Sequence, residues 1–200
     1  HGIPNSPMPA FSPRLDDKEL WRLVQYLRAL SESRTAQALT IRVEPFLPIA
    51  APDFTFEESP PAQETLVQLR GHEVLLVMGV LPESLPRLRE LEVQRTGLAM
   101  AGIRVILMVT SHGTLLEAAP EGPGAPRLAI TDSDTTKTYA MFTCRVANPC
   151  APSTPPHVEW LVDRGGYLRA RWLGIPGTSA DRTAEIMADA SALQREPPRP

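Results

Sequence analysis

A chain of 200 residues is long enough for one ordinary domain, or for one domain with an appendage. Its 20 Lys and Arg residues nearly balance its 23 Asp and Glu residues, and the net charge is -3. The sequence has no basic stripe, so nucleic acid is not expected as a partner. No run of about 18 apolar residues occurs, so no segment is expected to span a bilayer.

Prolines divide the chain into segments. The sequence has 22 of them, about twice the usual share of roughly 5%. They cluster at residues 4–13, 45–61, 120–126, 149–156 and 197–200. We expect the segments between these clusters to carry the regular structure.

The first regular element is an amphipathic helix over about residues 17–31. Either Asp16 or Asp17 can cap its N-terminus, where a negative charge is favourable. Apolar residues recur at helical spacing from Leu20 to Leu27. An isolated helix cannot bury such a face, so the pattern predicts a partner outside this helix.

A second pattern begins near residue 52. Apolar runs at residues 74–78 and 103–109 are typical of strands that are covered on both faces. A helical pattern over residues 85–101 lies between them and ends at Gly102. This βαβ unit implies parallel strands and a right-handed crossover.

The later elements complete an α/β pattern. We expect a helix near residues 133–142, then strands at 158–162 and 167–172 that form a hairpin around a Gly-rich turn. A last helix is expected over residues 179–194. The order βαβ followed by ββα is that of the thioredoxin fold, an α/β fold with a mixed sheet and helices on both faces. The stretch from 32 to 51 has no strong periodicity and is interpreted as a linker, with residues 41–43 as its candidate short strand.

Residues 1–11, His-Gly-Ile-Pro-Asn-Ser-Pro-Met-Pro-Ala-Phe, followed by the helix with Trp21 and Tyr26, resemble the C-terminal third of a class I cytochrome c. The resemblance implies that Met8 is the axial ligand of a haem iron, where a soft thioether raises the redox potential. It also implies haem c attached through a Cys-x-x-Cys-His motif. The sequence has no such motif, so we expect the attachment site upstream of His1.

Residues 51–56, Ala-Pro-Asp-Phe-Thr-Phe, and residues 65–77 resemble the opening of redoxin-type thioredoxin-like domains. In that family the reactive cysteines follow the first core strand, at the N-terminus of the next helix, where the helix dipole lowers a thiol's pKa. Here the corresponding residues 79–84, Gly-Val-Leu-Pro-Glu-Ser, contain no thiol. We expect Ser84 to cap the following helix. Pro156 is expected opposite this position, as the cis-proline of the fold is.

The two stretches together resemble the soluble C-terminal part of bacterial copper-resistance and copper-export membrane proteins. The resemblance implies a membrane-anchored parent with these domains on the periplasmic side of a bacterial membrane. Its partners would be the membrane region of the same parent chain and a redox protein. The implied domains are a cytochrome c tail at 1–33, a linker at 34–50, a thioredoxin-like (redoxin) domain at 51–195 and a disordered tail at 196–200.

Cys144 and Cys150 leave three interpretations open, one of which is that the two cysteines are unpaired and adventitious. An oxidising compartment favours a disulfide between them. Alternatively, the two thiolates and His157 could bind copper as Cu(I), which prefers soft ligands, with Met141 assisting. Their spacing is not a specific metal signature.

Three functions are consistent with this sequence. The leading hypothesis is an electron-transfer protein, in which haem-binding cytochrome c and a non-catalytic thioredoxin-like domain act in copper homeostasis. The alternative is a copper-binding, chaperone-like module with a thioredoxin fold. The weakest is a thiol-disulfide oxidoreductase that uses Cys144 and Cys150. Because the thioredoxin position has no cysteine, thiol catalysis is not expected, although the sequence leaves other enzymatic activity open.

Overall fold

The computed structural model describes residues 14–43, 49–59, 62–80, 82–109, 127–130, 133–143, 156–175 and 179–197. In chain order, the helices are α1 (Asp17–Ala36), α2 (Leu85–Val93), α3 (Arg95–Met100), α4 (Ser133–Met141) and α5 (Ser179–Gln194). The strands are β1 (Ile49–Ala50), β2 (Thr55–Ser59), β3 (Ala62–Thr65), β4 (Glu73–Gly79), β5 (Ile103–Val109), β6 (Arg127–Ile130), β7 (His157–Val162) and β8 (Tyr167–Leu173). A short 3-10 helix, Leu66–Leu69, precedes β4.

Six of these strands form one mixed sheet in the order β1-β8-β7-β4-β5-β6. Strands β4, β5 and β6 are parallel, as the predicted βαβ unit requires. Strand β7 is antiparallel to both β4 and β8, so the predicted hairpin is confirmed. Its turn is closed by Asp163, whose Oδ1 accepts hydrogen bonds from the backbone N–H groups of Gly165 and Tyr167. Strands β2 and β3 form a separate hairpin.

An apolar core lies on each face of the sheet, which explains why the central strands are apolar throughout. In β4, Val74, Leu76 and Met78 face one core, whereas Leu75 and Val77 face the other, as the two-residue period of a strand requires. The first core also receives aromatic residues from β2, α4 and β7, and the second receives α2, α3 and α5. The helices therefore cover both faces, as the fold predicts.

Helix α1 begins as predicted and continues to Ala36. A capping box closes its N-terminus: Asp16 Oδ1 accepts from the Glu19 N–H at 2.7 Å, and the Glu19 carboxylate accepts from the Asp16 N–H at 2.9 Å. Ala29 and Ala36 are buried in the first core together with Leu39. A domain boundary between residues 33 and 34 would thus fall inside α1.

Three local predictions differ from the structure. The predicted helix 85–101 is interrupted at Gln94, where φ is -89° and ψ is 4°, and so forms α2 and α3. Residues 41–43 are not a strand; the short strand lies at β1, where Ile49 pairs with Leu168. Glu196, assigned from the sequence to a disordered tail, accepts two 3.0 Å hydrogen bonds from the buried Arg169.

Candidate functional site

The expected thiol position lies where the end of β4, the start of α2 and the start of β7 meet. Gly79 of β4 pairs with His157 of β7, and the Val80 N–H donates to the Pro156 carbonyl at 2.9 Å. Pro156 therefore lies opposite the residues that precede α2, as predicted. Ser84, the residue before α2, is completely buried in this corner.

Ser84 does not have the capping role that the sequence predicts. Its side chain makes no capping hydrogen bond to α2. Instead, Ser84 Oγ donates to the Pro156 carbonyl at 3.2 Å and lies 3.0 Å from His157 Nδ1. A Cβ at Gly79 would lie 2.4 Å from Ser84 Oγ, so the close approach of the serine requires glycine there.

The serine is the outer end of a buried polar network, which we call the Ser84–Glu159 network and define as Ser84, His157, Glu159 and Arg87. His157 Nε2 lies 2.9 Å from Glu159 Oε1. Arg87 holds both carboxylate oxygens, through Nε at 2.8 Å and Nη2 at 2.9 Å. The side chains of His157, Glu159 and Arg87 have no exposed surface.

The electrostatics of the network keep Glu159 ionised. Burial alone would raise the pKa of Glu159, but hydrogen bonds from His157 and Arg87 lower it from 4.5 to about 2. For Arg87, burial acts to lower the pKa, but the Glu159 and Glu90 carboxylates outweigh it and raise the pKa above its ordinary value. The charges of Glu159 and Arg87 are therefore paired with each other.

Helix α5 completes the network from the other side. Arg87 Nη1 donates to Thr183 Oγ1 at 2.6 Å, and Thr183 in turn donates to Glu90 at 2.8 Å. Arg182 reaches Glu159 at 3.5 Å and the Gly174 carbonyl at 2.9 Å. The network thus joins α2, β7 and α5 across the end of the sheet.

This arrangement stabilises the packing of α2, β7 and α5 and does not have the features of a nucleophilic site. Ser84 is buried, and its one hydroxyl proton has the Pro156 carbonyl within reach as an acceptor. Glu159, which lies behind His157, is already neutralised by Arg87. A serine nucleophile needs a substrate within reach and a free base, and here both the serine and the histidine are enclosed.

The structure describes two of the residues that the sequence singled out as ligands, His157 and the assisting Met141, and Met141 is packed against the first core. Met8, Cys144 and Cys150 lie outside the described residues. His157 lies inside, but both of its ring nitrogens are hydrogen-bonded and its side chain is buried. A copper ion at His157 would have to displace one of these bonds. Within the described part of the chain, no three His, Cys, Asp or Glu side chains are grouped to hold a metal ion.

Sequence reasoning missed Arg87 and Glu159. A signal was present, because His157 and Glu159 are polar residues two positions apart in an otherwise apolar strand, which places both on one buried face. Such residues need a buried partner of opposite charge. Their partner is 72 residues away, so the sequence could indicate that a cation was needed but not which one.

None of the described helices is both long and apolar enough to cross a membrane.

The chain has a thioredoxin-like fold, as similarity to solved structures shows. A thiol:disulfide interchange protein of the thioredoxin family from Chlorobium tepidum TLS superposes with a TM-score of 0.57 at 10% identity, covering 74% of this chain and 99% of that one. BsSco, a member of the Sco family of cytochrome c oxidase assembly proteins, superposes with a TM-score of 0.54 at 17% identity, covering 76% of this chain and 99% of that one. Peroxiredoxin Q from Xanthomonas campestris gives 0.52 at 14% identity, over 75% of this chain and 97% of that one. No family model matches, and no curated protein matches significantly.

Proposed function

We propose that this chain is part of an extracytoplasmic electron-transfer protein, in which a thiol-free thioredoxin-like domain supports a cytochrome c. The observation that carries the proposal is the Ser84–Glu159 network. It fills, with buried and mutually satisfied side chains, the corner of the fold where we expected reactive thiols. A thioredoxin-like domain with this corner sealed is suited to holding a partner rather than to exchanging disulfides.

The physical argument rests on what thiol chemistry requires. A reactive cysteine must be exposed, and its thiolate must be stabilised by a helix N-terminus or a nearby cation. At the start of α2 the side chain is a buried serine, and the nearest cation, Arg87, is bonded to Glu159. The network therefore supports a structural role for this corner.

The cytochrome part of the proposal concerns residues 1–33. Helix α1 has the predicted acidic cap, and its outer face leaves three large apolar side chains exposed at helical spacing, Leu23, Leu27 and Leu30. Such a face is suited to a further packed element. On this proposal Met8 supplies the thioether that ligates haem iron, and the attachment motif belongs to the rest of the parent protein.

The test is the redox potential of the complete, haem-loaded protein. Met8→Ala removes the proposed thioether ligand, so the midpoint potential should fall and the visible spectrum should change. Met100→Ala is the matched control, because Met100 is 86% exposed on α3 and has no proposed role. An unchanged potential in Met8→Ala would contradict the cytochrome assignment.

We further propose the periplasmic side of a bacterial membrane as the location, with the membrane region of the same parent and a redox protein as partners. Copper handling is the alternative function. Since His157 is engaged in the network, copper would have to rely on Cys144 and Cys150, unless these form a disulfide. Copper titration of the Cys144→Ser/Cys150→Ser variant and of the His157→Ala variant distinguishes binding by the cysteines from binding by the histidine.

A further inference from the structure

A cleft of about 600 Å³ lies away from the Ser84–Glu159 network, between α1 and α4. One face of α1, with Lys18, Trp21, Arg22 and Gln25, forms its first wall. The segment before β2 forms its floor, and the first half of α4 forms the second wall. The volume is within the range of about 300–1,000 Å³ that is usual for small-molecule sites.

The floor of the cleft is fixed by the core below it. Asp53 Oδ1 accepts a hydrogen bond from the Val67 N–H at 3.0 Å, and the Pro52 carbonyl accepts from the Tyr139 hydroxyl at 2.7 Å. Tyr139 is itself packed edge-on against Phe54 and Trp160. A ligand would therefore meet a floor that is already in place.

The charges along the cleft select against a charged ligand. Lys18 and Arg22 on α1 are balanced by Asp53 on the floor and Asp134 on α4. Because two cations face two carboxylates, the lining offers no net attraction to an anion or to a cation. Hydroxyl groups can donate to the carboxylates and accept from the ammonium and guanidinium groups, and Gln25 can do both.

Trp21 adds a flat apolar surface to this polar lining. Its side chain is 64% exposed, whereas the other two tryptophans, Trp160 and Trp172, are buried. An exposed indole beside many hydrogen-bonding groups matches a ligand with apolar ring faces and hydroxyl-bearing edges. We propose that the cleft between α1 and α4 binds a neutral saccharide, with a sugar ring stacked on Trp21.

Calorimetric titration of the 200-residue chain with two neutral trisaccharides, maltotriose and triacetylchitotriose, tests the proposal. At least one should bind saturably, and Trp21→Ala should weaken it about tenfold, the loss of one aromatic contact. Tyr26→Ala is the matched control, since Tyr26 is an exposed aromatic residue of α1 that does not line the cleft. It should bind as the wild type does.

Tryptophan fluorescence measures sugar binding by the wild-type chain. Because only Trp21 of the three tryptophans faces solvent, bound sugar should shift the emission to shorter wavelength in proportion to the calorimetric saturation. The proposal is overturned if neither trisaccharide binds, or if Trp21→Ala and Tyr26→Ala lose affinity equally. Tighter binding of deacetylated, cationic chitotriose or of anionic trigalacturonate would also overturn it.

Discussion

Glu159 is an ionised side chain on a strand whose residues are all buried. Removing a carboxylate from water is unfavourable, and only close, well-oriented partners offset the desolvation. His157 and the two-pronged contact from Arg87 supply them. Losing one partner leaves the other charge buried without compensation, which is worse than losing both.

We therefore predict that Arg87→Met lowers the free energy of unfolding by about 3–5 kcal/mol, measured by urea denaturation. The double variant Arg87→Met/Glu159→Leu should be more stable than Arg87→Met alone, because it removes both charges. Arg95→Met is the control, since its bond to Glu92 is partly exposed and should contribute about 1 kcal/mol or less. Equal losses for Arg87 and Arg95 would contradict the importance of the network.

The free energy of unfolding at acidic pH should also depend on the ionisation of Glu159. Its folded pKa of about 2 lies below the ordinary 4.5, so its contribution is complete above about pH 5 and is lost as the pH falls towards about 2. The difference corresponds to about 3 kcal/mol. The free energy of unfolding, measured by urea denaturation across this range, should depend more steeply on pH in the wild type than in Glu159→Gln. Parallel curves would show that Glu159 is not stabilised by its neighbours.

Individual residues also show which contacts could be predicted from the sequence and which could not. The sequence shows that residues 79–84 contain no cysteine. It also allowed the position of Pro156 to be predicted. The partnership of Ser84 with His157 was not, because the two are 73 positions apart. Local rules favour a capping role for any serine before a helix, and the tertiary contact replaces that role.

At the scale of elements, Arg171 of β8 links the ends of two helices. Its buried guanidinium donates to the Ala36 and Leu39 carbonyls at the end of α1, at 3.2 and 3.3 Å, and to the Phe142 carbonyl after α4. The Ala36 carbonyl also accepts from the Leu39 N–H at 3.0 Å, and the Leu39 and Phe142 carbonyls lie just beyond the two helices. The guanidinium thus adds donors where the regular hydrogen bonding of each helix ends. Arg171 thereby fastens α1 to the thioredoxin-like core.

Arg171→Met should remove the guanidinium bonds to the carbonyls of Ala36, Leu39 and Phe142 and destabilise the fold by about 1–3 kcal/mol. Hydrogen exchange should accelerate most for the amides at the end of α1, near Ala36. Arg104→Met, an exposed site on β5 that is separated from β8 by β7 and β4 in the same sheet, is the control and should change neither quantity. Unaltered exchange near Ala36 in Arg171→Met would show that α1 is held by other contacts.

Elements differ in how strongly the sequence specifies them. The apolar runs of β4 and β5 and the turn between β7 and β8 were predictable, because burial on both faces and turn chemistry leave clear patterns. Strand β1 has only two residues, and its pairing with β8 depends on the sheet rather than on its own composition. The break at Gln94 likewise has no Gly or Pro to indicate it.

At the scale of the whole molecule, α1 takes part in the thioredoxin-like core on one side and leaves its other side exposed. Ala29, Ala36 and Leu39 belong to that core. The division into a cytochrome tail at 1–33, a linker and a domain at 51–195 stays a prediction. The buried residues of α1 indicate that any cytochrome c attached here would share this helix with the thioredoxin-like domain.

Insulin reduction by the 200-residue chain and by its Cys144→Ser/Cys150→Ser variant tests most directly whether the thioredoxin-like domain exchanges disulfides. Disulfide exchange needs an accessible thiolate and a second thiol to resolve the mixed disulfide. Since the Ser84–Glu159 network occupies the thiol position, we predict that neither protein exceeds the background rate. Robust turnover in the wild type that disappears in the double variant would contradict the account and favour Cys144 and Cys150 as a relocated redox pair.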